Sequence, residues 1–166
     1  GGARKGVLST RHGKVRTPFF MPVATFASGR GIGPQDYDRD EVQAVISNAF
    51  LLSLRPGVDT VREMGGLHRF MGFKGGIFTD SGGFQSNNEE LFLGISRRGV
   101  HLKSPFDGKR VIMTPQRLVE VQEGLGSDVA MVIDDMAPPD VSREQFLNSL
   151  RNTHRWAKEC KEAHSD

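Results

Sequence analysis

Four short apolar runs, separated by stretches with helical signals, constrain this chain more than any other feature of its sequence. They are Phe19-Phe20-Met21-Pro22-Val23-Ala24, Ala44-Val45-Ile46-Ser47-Asn48-Ala49-Phe50, Gly76-Ile77-Phe78-Thr79 and Val129-Ala130-Met131-Val132-Ile133. Each is apolar almost throughout rather than at every second residue. A strand covered on both faces has that pattern, which favours a parallel sheet over a half-wet antiparallel one. Helices are expected between the runs, at residues 34–41, at residues 58–64 before Gly65-Gly66, and in a segment opened by Thr114-Pro115 that carries Leu118, Val121, Gln122 and Leu125. A last helix is announced by a capping box, Ser142 with Gln145, followed by an apolar stripe of Phe146, Leu150, Trp156, Ala157 and Cys160.

Repeated β-then-α order places the chain among α/β folds, with functional loops at the strands' carboxyl ends. Four such units make half of an eight-stranded barrel. A doubly wound open sheet is the competing architecture, but no Gly-x-Gly-x-x-Gly stands at a strand-to-helix turn to support it. Two segments depart from the alternation. Gly6-Val7-Leu8-Ser9-Thr10, the turn residues His12-Gly13 and Val15-Arg16-Thr17 read as an opening hairpin, and residues 99–114 read as an inserted hairpin around Pro105-Phe106-Asp107-Gly108.

Composition excludes several function classes. Twenty-two basic against twenty acidic side chains give a net charge of +2, so any RNA-binding surface is local, with Arg97-Arg98, Lys103 and Lys109-Arg110 as its candidates. The one cysteine, Cys160, has no cysteine partner for a disulfide or a zinc site, and the chain is read as metal-free and cytoplasmic. No apolar run approaches a membrane span, and residues 1–14 lack the hydrophobic stretch of a secretory signal.

Asp80 follows directly on the third apolar run and precedes Ser81-Gly82-Gly83-Phe84-Gln85, whose glycines let backbone amides approach a ligand closely. The same residues also suit a plain glycine turn with Asp80 as its cap. Asp134-Asp135 ends the fourth run in the same manner, before Met136-Ala137-Pro138-Pro139. Two strands are thus expected to deliver carboxylates to one rim, with Asp135 read as a solvent-facing or helix-capping partner rather than a second ligand. A carboxylate accepts two parallel hydrogen bonds, and the edge of guanine offers a ring N–H beside an exocyclic amine with matching spacing. Paired acids also suit glycosidic bond cleavage, one handling the proton while another acts as nucleophile. Phe84 could stack on a base or serve as simple core packing.

Taken together, these strings resemble the tRNA-guanine transglycosylase family, its bacterial and eukaryotic queuine branch more than its archaeal one. The resemblance is collinear over nearly the whole chain. It runs through Arg16-Thr17-Pro18-Phe19-Phe20-Met21-Pro22-Val23, Leu54-Arg55-Pro56-Gly57, Gly66-Leu67-His68-Arg69-Phe70-Met71, Thr79-Asp80-Ser81-Gly82-Gly83-Phe84-Gln85, Ser104-Pro105-Phe106-Asp107-Gly108, Gly126-Ser127-Asp128 and Ile133-Asp134-Asp135. It implies a (β/α)8 barrel, represented here by about its first four βα units, that exchanges guanine at the tRNA wobble position for a 7-deazaguanine such as queuine or preQ1.

Position by position, the resemblance makes Asp80 the carboxylate that contacts the purine and handles its proton, with Ser81, Gly82, Gly83 and Phe84 completing the binding loop. It makes Asp134 the acid that reads the guanine-like edge, and Asn48 an asparagine near the pocket. Asn48 lies in Ser47-Asn48-Ala49-Phe50 where the family has Asn-Thr-Tyr-His, Met136 stands where many bacterial members have cysteine, and Phe84 where they have tyrosine. The family's aspartate nucleophile and zinc-binding Cys/His cluster belong to its second half, so no residue up to Asp166 takes either role. The resemblance therefore implies no cofactor in this chain and, as partners, tRNA, the base, and a complementary carboxy-terminal half or an oligomeric partner, with no membrane. A non-catalytic accessory half, giving only structural or RNA-binding support, is the alternative, and DNA is a second candidate polymer.

Overall fold

A computed structural model of the chain describes residues 2–82 and 90–165. In chain order its elements are β1 (Gly6–Thr10), β2 (Gly13–Thr17), α1 (Pro34–Arg39), β3 (Ala44–Asn48), α2 (Ala49–Leu52), α3 (Val58–Glu63), α4 (Leu67–Met71) and β4 (Gly76–Asp80). There follow β5 (Phe92–Ser96), β6 (Gly99–Lys103), β7 (Arg110–Met113), α5 (Pro115–Leu125), β8 (Val129–Ala130) and α6 (Arg143–Ala163). The structure is mixed α/β with a parallel sheet, and its residues fall into two compact units, residues 1–80 with 122–131 and residues 81–121 with 132–166.

In the first unit the parallel sheet runs β3-β4-β8. Ala44 pairs with Gly76 and the register continues to Asn48 opposite Asp80, while Phe78 and Thr79 of β4 face Val129 and Ala130 of β8. Ala44, Val45 and Ile77 are fully buried, as the continuous apolarity of these runs requires. The opening hairpin forms as expected, β1 against β2, with Gly13 at φ +130° in the turn and the Thr10 hydroxyl donating to the Gly13 carbonyl at 2.9 Å.

Three expected strands differ from what the apolar runs suggest. Residues 19–24 do not form a strand; they touch β3 through a single bridge, Val23 to Ile46, flanked by hydrogen bonds from Ala24 N–H to the Ile46 carbonyl and from Ile46 N–H to the Pro22 carbonyl. Pro18 and Pro22 have no N–H to donate, so no longer ladder can run there. The strand expected over residues 44–50 stops at Asn48, and Ala49 and Phe50 begin α2 while remaining fully buried. Their apolarity reports burial, which a helix supplies equally well. The fourth run forms a strand only at Val129–Ala130. Met131 N–H still donates to the Thr79 carbonyl at 3.0 Å and shares this bond with the Gln122 side-chain oxygen at 3.1 Å, while the Met131 carbonyl accepts from the Gln122 amide nitrogen at 3.0 Å.

The second unit holds a three-stranded antiparallel sheet, β5-β6-β7, where the sequence suggests a two-stranded hairpin. β5 escapes the pattern because Gly94, at φ +131°, interrupts its apolar run at a bulge in the pairing with β6. Gly99 begins β6 at φ +148°, where an added Cβ would collide with the Met113 carbonyl, so only glycine fits.

The capping box of α6 is present, with the Ser142 hydroxyl accepting from Gln145 N–H and the Gln145 side chain accepting from Ser142 N–H. The apolar stripe is buried only in its later part. Trp156 and Cys160 are buried, whereas Phe146 is 56% and Leu150 41% exposed. Among the described residues, the hydrogen-bond partners that reach α6 from elsewhere in its unit stand opposite residues 152–160. Asp135 bonds Asn152 and Thr153, the Arg97 carbonyl accepts from Arg155 and from the Trp156 indole, and the Pro115 carbonyl faces the Cys160 thiol. Among the described residues, no helix is long and apolar enough to cross a membrane. Trp156→Ala is expected to cost about 3–5 kcal/mol and Phe146→Ser to stay within about 0.5 kcal/mol. Denaturant unfolding of the two variants checks this, and equal losses would refute the assignment of the buried face.

Candidate active site

Side chains at the carboxyl ends of parallel strands converge because the strands end together, and here the register brings Asn48 of β3 directly opposite Asp80 of β4. Asn48 is buried, and its side-chain oxygen accepts from the Leu51 amide at 2.8 Å, which makes it the N-cap of α2. This residue therefore both ends the strand and turns the chain into helix beside Asp80. Asp80 itself is half-buried.

Ser81, buried in the second unit, donates its hydroxyl to Oδ1 of Asp134 at 3.4 Å, a long hydrogen bond that orients the half-buried carboxylate. Gly82 follows at φ +74°, a conformation that disfavours any side chain. Gly83 and Phe84, expected to complete the loop, lie outside the described residues. The adjacent acids Asp134 and Asp135 have separate partners. Asp135 accepts from the Asn152 amide at 2.8 Å and its N–H donates to the Thr153 hydroxyl at 3.0 Å, so it ties its segment to the middle of α6 rather than facing solvent or capping a helix as expected.

The family model for queuine tRNA-ribosyltransferase matches residues 1–166. The chain belongs to that family. It is 47% identical to the queuine tRNA-ribosyltransferase of Thermotoga neapolitana over 163 residues, 98% of this chain and 44% of the relative. Over 164 residues it is 43% identical to that of Lysinibacillus sphaericus, covering 99% of this chain and 43% of the relative. The enzyme of Acinetobacter baylyi is 40% identical over 166 residues, all of this chain and 43% of the relative. The chain thus spans less than half the length of the curated relatives it matches.

Within this member of the ribosyltransferase family, the structure also joins residues that sequence reading treated only as pieces of motifs. His12 lies in the β1–β2 turn, His68 on α4, and Asp128 just before β8. Nδ1 of His12 is 2.8 Å from Oδ1 of Asp128, and Nε2 of His68 is 3.1 Å from Oδ2, which also accepts from the Ile77 amide at 2.9 Å. The Asp128 side chain is fully shielded from solvent. No spacing rule could have linked them, because His12 and Asp128 are 116 residues apart. The cluster sits where β4 begins, at the end of the sheet opposite Asp80.

The three residues place ligand-type atoms within 4.8 Å of one another, which raises the question of a metal. The ring geometry answers it. The two imidazoles stack with centroids 3.4 Å apart and planes 20° apart. A metal bonds imidazole in the plane of the ring, and two rings stacked this closely cannot both aim in-plane lone pairs at one ion. His68 Nε2 also lies 3.0 Å from the Gly75 carbonyl, so both of its neighbours are acceptors and this nitrogen carries the proton. The arrangement is a hydrogen-bonded clamp, in which one carboxylate accepts from two imidazoles and a backbone amide.

Burial and the neighbouring His12 push the His68 pKa below its ordinary value, against the opposing pull of Asp128 and the Gly75 carbonyl. Burial alone would raise Asp128, but the Ile77 amide, the His12 hydrogen bond and the charges of both imidazoles hold it below the usual carboxylate range. A group whose pKa is depressed on folding stabilises the fold above its unfolded value and loses that contribution as pH falls towards the folded one. His68 therefore begins to weaken the fold as pH drops below its ordinary 6.5, and Asp128 adds to the loss below 3.8. Asp128→Ala is expected to cost on the order of 3 kcal/mol at pH 7 by leaving buried donors unpaired. Denaturant titrations should show the gap to the parent narrowing only as pH falls below 3.8, and a gap that stays constant below that pH would mean that the ionised carboxylate is not what holds the clamp.

Proposed function

We propose that this chain supplies the purine-recognition part of a tRNA-guanine transglycosylase, built as the first half of a (β/α)8 barrel. The observation that carries this reading is the carboxyl-end register that sets the half-buried Asp80 against the capped Asn48, with Ser81, the next residue, oriented onto Asp134. Family membership gives these positions their chemistry. The substrate is a guanine in tRNA, and the reaction replaces it with a 7-deazaguanine.

Asp134 is suited to the guanine edge. An ionised carboxylate has about four lone-pair sites, so the single Ser81 hydroxyl leaves both oxygens able to accept from the ring N–H and the exocyclic amine of the base. Asp80 is the proton-handling group. Guanine departs as a neutral base only if a proton reaches its ring nitrogen as the glycosidic bond breaks, and the incoming deazaguanine must lose the equivalent proton before it can bond to the sugar. One carboxyl group serves both directions, as in retaining glycosyl transfer. The sugar-side nucleophile and the zinc ligands come from residues outside this chain. The complementary carboxy-terminal half and tRNA are its partners, with Arg97-Arg98, Lys103 and Lys109-Arg110 as candidate phosphate contacts.

An exchange assay tests the reading. The chain is combined with the carboxy-terminal portion of a relative such as the Thermotoga neapolitana enzyme, and incorporation of labelled guanine into tRNA is followed. Asp80→Ala and Asp134→Ala are each expected to lower the rate by on the order of 10²–10³-fold, and Ser81→Ala by several-fold. Undiminished exchange by both aspartate variants would discard the site, and an accessory half would then be the better description.

A further inference from the structure

Gln122 is the one residue of α5 whose side chain is buried and polar, at 1% exposure, and the chemistry above gives it no part. Its amide makes three hydrogen bonds, all within the first unit. Oε1 accepts from the Thr79 hydroxyl at 2.7 Å and from the Met131 amide at 3.1 Å, and Nε2 donates to the Met131 carbonyl at 3.0 Å. Thr79 is fully buried and held again from two further directions, its hydroxyl lying 2.9 Å from that of Ser127 and its carbonyl accepting from Met131 N–H at 3.0 Å.

Thr79 is the residue before Asp80. Successive side chains of a strand leave opposite faces, so locking Thr79 towards α5 fixes the rotation of β4 about its own axis and with it the direction in which Asp80 leaves the sheet. A space-filling residue would do for packing alone, at a smaller desolvation cost than a primary amide. Only an amide side chain offers one donor and one acceptor in a plane that matches the N–H and C=O of a single residue. Glutamate lacks the donor and methionine lacks both.

We propose that Gln122 is a positioning residue for Asp80, acting through Thr79 rather than by touching the base. This rests on the reading of Asp80 as the purine-side carboxylate. Displacing a reacting group by about 1 Å costs on the order of 10²-fold in rate, so a side chain that fixes strand rotation one residue away has catalytic leverage without substrate contact.

The test uses the exchange assay on the combined enzyme, with the fold of each variant monitored by thermal unfolding. Gln122→Met, of similar volume, is expected to lower kcat by about tenfold or more while the KM for tRNA stays within about threefold, because the loss falls on orientation in the transition state. The acidic limb of the pH–kcat profile should also move, since the surroundings of Asp80 change. Thr79→Val removes the hydroxyl, keeps the shape and leaves the Gln122–Met131 bonds in place; it should shift kcat and the acidic limb in the same direction by a smaller factor, and it decides the matter alone if Gln122→Met does not fold. If both variants show only a lower melting temperature, with kcat per folded molecule and the acidic limb unchanged, Gln122 is structural and the proposal falls. The parent and Asp80→Ala run alongside. Absence of exchange by the parent, or full exchange by Asp80→Ala, overturns the reading of the site itself, a pattern distinct from failure at Gln122 alone.

Discussion

A single buried carboxylate organises the first unit. The Asp128 side chain is shielded from solvent, and a charge so placed is tolerable only where donors surround it. It finds them in three separate elements, His12 from the hairpin turn, His68 from α4 and the amide of Ile77 at the start of β4. Removing the acid would strand His68 and the Ile77 amide in a dry environment and free the exposed His12, so the attachment of the hairpin, the packing of α4 and the starting point of β4 are bound to one group. The stacked imidazoles add ring contact at a spacing that leaves no room for an ion.

The clamp and Asp80 stand at opposite ends of β4. Ile77, bonded to Asp128, and Asp80 are both on β4 and only three residues apart. Between them Thr79 is bonded through side chain and main chain, so the strand is restrained along its whole length and its last residue leaves the sheet in a defined direction. Asn48 does the same for β3 by ending the strand and capping the next helix in one step. Such rigid support suits the proton-handling role proposed for Asp80, because acid–base transfer depends on reach and angle before it depends on pKa.

The candidate site was proposed from the sequence before any coordinates. Asp80, Ser81 and Asp134 stood out because an acid at the end of an apolar run followed by small residues is a recognisable local pattern, whereas the attachment of Asp135 to Asn152 and Thr153 was not foreseen. The fold was less evenly legible. The runs at residues 44–50 and 76–79 marked buried segments, but in the other two Phe20, Val23, Met131 and Val132 are exposed; prolines remove the donors a strand needs at residues 19–24, and at residues 49–50 the burial belongs to a helix. β5 escaped notice because a bulged glycine breaks its alternation, and the exposure of Phe146 and Leu150 shows that a helical stripe identifies an apolar face without saying how much of it is covered. The clamp and the Gln122 amide left no signature at all.

The amino-acid order by itself determined the features that depend on neighbours a few residues apart. These are the hairpin turn at His12-Gly13, the capping box of α6, the parallel character of the sheet and the acids that end two of its apolar runs. Only the tertiary structure decided which acid faces Ser81 and which is taken up by α6, which glutamine is spent on a strand, and that His12, His68 and Asp128 share one set of hydrogen bonds. The physical reason is range. Backbone propensity and capping act within about one helical turn, whereas the partner of a buried polar group is chosen by whatever the folded chain brings within about 3 Å, at any separation in sequence.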